Sequence, residues 1–160
     1  MTVLGDDRSD FEADPPRVGG LLAKMGLPPI AARDDIQSWK LVGDVGDALV
    51  RRFEALAARA RSGDTFVFYL TTHGVTGQDV VGGTPTGPKR YHFTLQYTTP
   101  PTQGWGTSIR RYRMDPQRLN FSRTKACRIV VIADTCFSGH WIPLMSPRFT
   151  DLQGREMVVL

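Results

Sequence analysis

Two hydrophobic segments, each closed by a short polar motif, constrain this chain more than anything else in it. Thr65-Phe66-Val67-Phe68-Tyr69-Leu70-Thr71 runs into Thr72-His73-Gly74. Arg128-Ile129-Val130-Val131-Ile132-Ala133 runs into Asp134-Thr135-Cys136-Phe137-Ser138-Gly139. Continuous apolar runs rich in β-branched and aromatic residues, ended by Gly, are the pattern of buried strands in a parallel sheet. Side by side and pointing the same way, they bring His73 and Cys136 into the crevice outside their carboxyl ends. Open α/β sheets place their active sites there. A Cys and a His distant in sequence but adjacent in the fold are a candidate nucleophile and proton-transfer pair.

The surrounding pattern alternates strand and helix. Val45, Leu49, Phe53, Leu56 and Ala60 follow at spacings of four, four, three and four, with Arg51, Arg52 and Arg61 on other faces. That spacing predicts an amphipathic helix over residues 45–61. Asp44 or Asp47 can supply oxygens near its start, and Ser62-Gly63-Asp64 ends it. Residues 74–90 are rich in Gly, Thr and Pro, lack a period and read as loop. Tyr91, Phe93, Leu95 and Tyr97 alternate with polar residues and predict a half-buried strand. Residues 98–106 read as a second loop through Pro100 and Pro101. Asp115-Pro116 reads as an N-cap and first helical residue of a short helix reaching Leu119. Residues 1–6 and 157–160 read as short strands.

Composition excludes several classes. A chain of 160 residues has room for one domain with a real core. No apolar stretch reaches the roughly 18 residues a spanning helix needs, so no membrane role is expected. Residues 1–7 lack the layout of a signal peptide. Two cysteines, one at the candidate nucleophile position, argue against a disulfide framework and for a reducing cytoplasm. Cys127 reads as a small apolar residue opening the second strand. The net charge of +4 is mild, and the basic cluster Arg110-Arg111-Tyr112-Arg113 reads as a solvated loop or edge strand. No nucleic-acid module surrounds it.

A strand ending in His-Gly, then a later strand ending in Asp-x-Cys-x-Ser-Gly, resembles the caspase-like cysteine peptidases, most closely the metacaspases. The metacaspase nucleophile segment reads Asp-Ser-Cys-His-Ser-Gly, against Asp134-Thr135-Cys136-Phe137-Ser138-Gly139 here. Leu70-Thr71-Thr72-His73-Gly74 stands where that family ends a strand in Ser-Gly-His-Gly or Ser-Ser-His-Gly. The resemblance spans roughly residues 41–144. It implies a three-layer α/β fold, a mostly parallel sheet flanked by helices. On that comparison the 160 residues are a single peptidase domain incomplete at both ends. The expected losses are the first strand–helix pair and the last, which a second chain or segment would then supply.

The resemblance also implies roles. Cys136 is the expected nucleophile and His73 the acid/base, a proton transfer worth about 10²–10⁴-fold. The backbone N–H groups of Gly74 and Cys136 would form the oxyanion hole, each donor worth about 10²–10³ in rate. Asp134, two residues before Cys136 on an extended chain, would share its face and select Arg or Lys before the cut. The expected reaction is endopeptidase hydrolysis of a protein or peptide through a thioester, with no metal or organic cofactor. Two alternatives stay open: a legumain-like peptidase cutting after Asn or Asp, and a catalytically silent scaffold module. Three departures stand out. Phe137 replaces the motif's His, Thr71-Thr72 replaces Ser-Gly, and only Asp79 follows His73 where metacaspases carry several acids.

Overall fold

The structure, a computed structural model, describes residues 2–4, 13–27, 34–35, 45–99, 108–145 and 155–160. Its elements are β1 (Thr2–Leu4), α1 (Asp14–Lys24), β2 (Asp34–Asp35), α2 (Val45–Ala57), β3 (Thr65–Thr71), β4 (Gly74–Val81) and β5 (Thr84–Thr99). They continue with β6 (Ser108–Met114), β7 (Arg128–Asp134), α3 (Trp141–Met145) and β8 (Glu156–Val159). Short 3₁₀ turns fall at Pro116–Arg118, Phe121–Arg123 and Ser138–His140. No helix among the described residues is long and apolar enough to cross a membrane.

The architecture is mixed α/β. Five strands form a sheet in the order β2-β1-β3-β7-β8, and every pairing in it is parallel. The two hydrophobic runs are its central neighbours, in register from Thr65 opposite Arg128 to Thr71 opposite Asp134. Phe66, Phe68 and Leu70 project to one face with Ile129, Val131 and Ala133, all buried. Helix α2 covers that face with Leu49, Phe53, Leu56 and Ala57. Phe53 is the keystone, meeting Phe66, Phe68 and Phe121 edge-on at 5.8, 5.6 and 4.9 Å between ring centroids. Strand alternation puts Val67, Tyr69, Val130 and Ile132 on the opposite face, and α1 packs against β1 and β3.

A second, antiparallel sheet, β4-β5-β6, hangs from the end of β3. Residues 74–90, expected as loop, are instead β4 and the first half of β5. Gly82 and Gly83, both at positive φ, close a two-residue hairpin between paired Val81 and Thr84. That conformation suits glycine and matches the twist of the flanking strands. The second half of β5 is the alternating strand read from sequence, with Tyr91, Phe93 and Leu95 buried. Strands β4 and β6 flank β5 in this sheet, and β6 carries the basic cluster. Asp115 caps its 3₁₀ turn by accepting the Gln117 N–H at 2.8 Å. Residues 100–107 lie outside the described residues.

Strand β1 falls within residues 1–6, read as a strand from sequence, and lies between β2 and β3; α1 follows it, with Gly19-Gly20 mid-helix, which lowers helix propensity. One further reading is corrected. Cys127 is not a buried strand residue. It is exposed one position before β7, its sulfur 3.4 Å from the Asp64 carbonyl.

Candidate active site

The site lies where β3 and β7 stop being neighbours. The Thr72 N–H reaches the Asp134 carbonyl at 3.2 Å, the last rung of the parallel ladder. The chain then changes sheet. The His73 carbonyl accepts from the Thr94 N–H at 2.9 Å and the Thr94 hydroxyl at 3.3 Å, and Gly74 pairs with Phe93 as β4 begins. The Thr72 hydroxyl donates to the Thr94 carbonyl at 2.6 Å. His73 therefore occupies the junction between the sheets, held by its own backbone. The two threonines in place of Ser-Gly are part of this joint, both buried.

Cys136 stands at the equivalent place on the neighbouring strand, two residues past Asp134 as His73 is two past Thr71. Its turn packs directly on Gly74: a Cβ there would lie 1.8 Å from the Cys136 carbonyl oxygen and 3.0 Å from the Tyr91 ring. Any side chain at position 74 would push the two strand ends apart. The structure thus brings together, through their backbones, the segments of His73, Gly74 and Cys136. Cys136 is an exposed free thiol and His73 is half-buried.

The turn around Cys136 is tight. The Thr135 N–H folds back to the Ala133 carbonyl at 3.0 Å, and the Ser138 N–H to the Thr135 carbonyl at 3.2 Å. The extended spacing that was to put Asp134 and Cys136 on one face therefore does not continue past Asp134. Phe137 follows at φ 60, ψ 25, the one non-glycine at positive φ among the described residues. Such a backbone costs on the order of 1–3 kcal/mol and is found at active sites where surrounding contacts enforce it. Sequence alone does not report it, because Phe has no preference for that region. The Cys136 N–H meets no acceptor among the described residues, as an oxyanion donor requires.

A directional hydrogen-bond relay enforces this turn. The Trp141 indole N–H can only donate, and it donates to the Tyr91 oxygen at 3.1 Å. The Tyr91 hydroxyl proton then goes to the Thr135 hydroxyl, and that hydroxyl donates to the Cys136 carbonyl at 3.2 Å. Trp141, fully buried, anchors the relay by stacking on Phe93 at 5.8 Å. Burial, first, pushes the Tyr91 phenol above its usual value, and its bonds to Thr135 and Trp141 only partly offset that. It therefore stays a donor at neutral pH. Tyr91, Thr135 and Trp141 were not singled out from sequence. Only the Trp141 position just beyond the motif and the alternation at Tyr91 hinted at them.

Asp134 ends β7 exposed, on the Tyr69 face of the sheet. The Tyr69 hydroxyl donates to its Oδ2 at 3.2 Å, and the Thr71 hydroxyl lies at 3.5 Å from the same oxygen. Tyr69 is pushed up to about 12, by burial first and also by the adjacent carboxylate, against an opposing bond from Thr71. Among the described residues no cluster of three or more acids, histidines and cysteines could hold a metal. Comparisons with protein-family models, curated proteins and solved structures return no match.

Proposed function

We propose that the chain is a cysteine endopeptidase domain of the caspase-like type. In this reading the Cys136 thiolate attacks the substrate carbonyl carbon, and the tetrahedral oxyanion is met by backbone N–H groups of Cys136 and Gly74. His73 protonates the leaving amine as the C–N bond breaks. Water then adds to the thioester, giving up a proton to His73 as the C–S bond breaks, and releases the acid and the Cys136 thiolate. Asp134 takes the side chain before the cut, Arg or Lys, through a charge-assisted pair.

The observation that carries the reading is the Gly74–Cys136 backbone contact. It ties the two motif-bearing strand ends at a position only glycine tolerates. The strained turn at Phe137 and the open Cys136 N–H support the same chemistry. A caspase-like topology is part of this proposal, and the β2-β1-β3-β7-β8 order with its antiparallel annexe is compatible with it.

The test is covalent labelling with a peptide that carries Arg before an acyloxymethyl ketone. The reading expects one adduct, on Cys136, lost in both Cys136→Ala and His73→Ala. A folded parent chain that stays unlabelled, or is labelled only at Cys127, overturns it. Labelling by an Asn or Asp probe in place of the Arg probe retains the dyad and moves the specificity to the legumain-like type.

A further inference from the structure

A cleft of about 390 Å³ opens between β5, the Pro116–Arg118 turn and α3, and the mechanism above does not use it. Tyr91 forms one wall. The same ring lies 3.0 Å from where a Gly74 Cβ would be, so the cleft begins next to the Cys136 turn. His140 stacks on Tyr91 at 5.7 Å between centroids and 15° between planes, forming the adjoining wall. Leu144 contributes apolar surface, and Lys89 and Arg90 line the rim, both exposed. The single carboxylate, Asp115, already accepts the Gln117 N–H.

The position of the cleft relative to Asp134 is informative. Asp134 is bonded to Tyr69, on one face of the parallel sheet. Tyr91 is joined through Trp141 to Phe68 and the core on the other face. Cys136 lies at the sheet edge between them. In the peptidase reading, a peptide whose residue before the cut reaches Asp134 passes Cys136 and has Tyr91 and His140 ahead of it on the other face.

We propose that this cleft receives the residues after the cut, and that Lys89 and Arg90 make it select acidic side chains there. The proposal rests on the peptidase reading and narrows its substrate class. The preferred peptides have a basic residue before the cut and Glu or Asp within the next few residues. Opposite charges on the two sides of the bond would then meet Asp134 on one face and the Lys89–Arg90 rim on the other. An exposed ion pair contributes modestly, on the order of a few-fold in affinity for each contact.

Two peptides test it, both with Arg before the cut and the same flanks, one with Glu-Glu and the other with Lys-Lys at the second and third positions after it. The parent should cleave the Glu peptide about tenfold faster in kcat/KM, and Lys89→Glu should erase or invert that ratio. Equal cleavage of both by the parent, or an unchanged ratio in Lys89→Glu, overturns the cleft assignment and leaves the peptidase reading standing. Cleavage of neither peptide counts against the peptidase reading, and a binding arm then decides the cleft. There, fluorescence anisotropy measures both peptides on Cys136→Ala, or on the thiol-alkylated parent should that variant not fold. Tighter binding of the Glu peptide, weakened by salt and by Lys89→Glu, supports the cleft. Indifference to peptide charge overturns it.

Discussion

Gly74 and Cys136 touch through backbone alone, with 1.8 Å between an imagined Gly74 Cβ and the Cys136 carbonyl oxygen. The obstructing atom is main chain, so no rotamer change can relieve it. Gly74→Ala should destabilise the fold by about 1–3 kcal/mol, the range for forcing volume into packed structure. It should also abolish labelling of Cys136 by the Arg probe, because the Cys136 turn must shift. A urea unfolding midpoint equal to that of the parent would show that the two strand ends do not meet as described.

Tyr91→Phe keeps the ring and removes one oxygen. It leaves the buried Trp141 N–H without its acceptor and Thr135 without its donor. Stranding such groups costs about 1–3 kcal/mol. In the proposed enzyme the loss should fall on kcat with little change in KM, since Tyr91 positions the Cys136 turn without touching the reacting bond. The measurement pairs a thermal melt with steady-state kinetics. A KM effect alone would mean that the Tyr91 hydroxyl acts on peptide in the cleft and not through the relay.

The core makes a third prediction. Phe53 is fully buried and meets three aromatic rings, so Phe53→Ala should cost about 3–5 kcal/mol. Cys127→Ala, at an exposed position whose sulfur only approaches the Asp64 carbonyl, should stay within about 0.5 kcal/mol of the parent. Chemical denaturation of both variants checks the contrast. A large loss for Cys127→Ala would restore it as a packing residue of β7.

What could be read from the chain follows from how far each signal depends on local pattern. Strands β3 and β7 are buried on one face and at least partly covered along the middle of the other, so their apolar runs announce them, and their motifs place His73 and Cys136 at adjacent strand ends. Helix α2 announces itself through a spacing that matches one buried face. The β4–β5 hairpin was missed because its outer part is exposed and its polar, Pro-containing sequence lacks alternation. Backbone hydrogen bonds hold it, and its one local mark is Gly82-Gly83 between Val81 and Thr84. The relay through Trp141, Tyr91 and Thr135 joins residues up to 50 positions apart, and no spacing rule reports such a network. At Asp134 the reason is different. Alternation holds only while the chain is extended, and the Thr135 N–H has already turned back to Ala133.

The last prediction concerns the pair formed by Tyr69 and Asp134. The folded chain holds the Tyr69 proton more tightly than an unfolded chain does, at about 12 against the ordinary 10.0. The first cause is burial of the phenol, and the second is the Asp134 carboxylate, which a phenolate would face at hydrogen-bond distance. Below pH 10 both states keep the proton and the contribution is fully present. Between about 10 and about 12 the unfolded chain ionises first, so folding stability falls as pH rises through that window. Tyr69→Phe should flatten this part of the stability curve, measured by urea midpoints at successive pH values against the parent. The phenolate absorbance of the folded parent should also show Tyr69 and Tyr91 titrating late, and the Tyr69 step should vanish in Tyr69→Phe. Asp134→Asn separates the two causes. It removes the charge and leaves the burial, so the Tyr69 step should move toward lower pH yet remain above the ordinary range. A step that does not move would mean that burial alone holds the proton, and that the Asp134 carboxylate is free to turn away from Tyr69 toward a substrate cation.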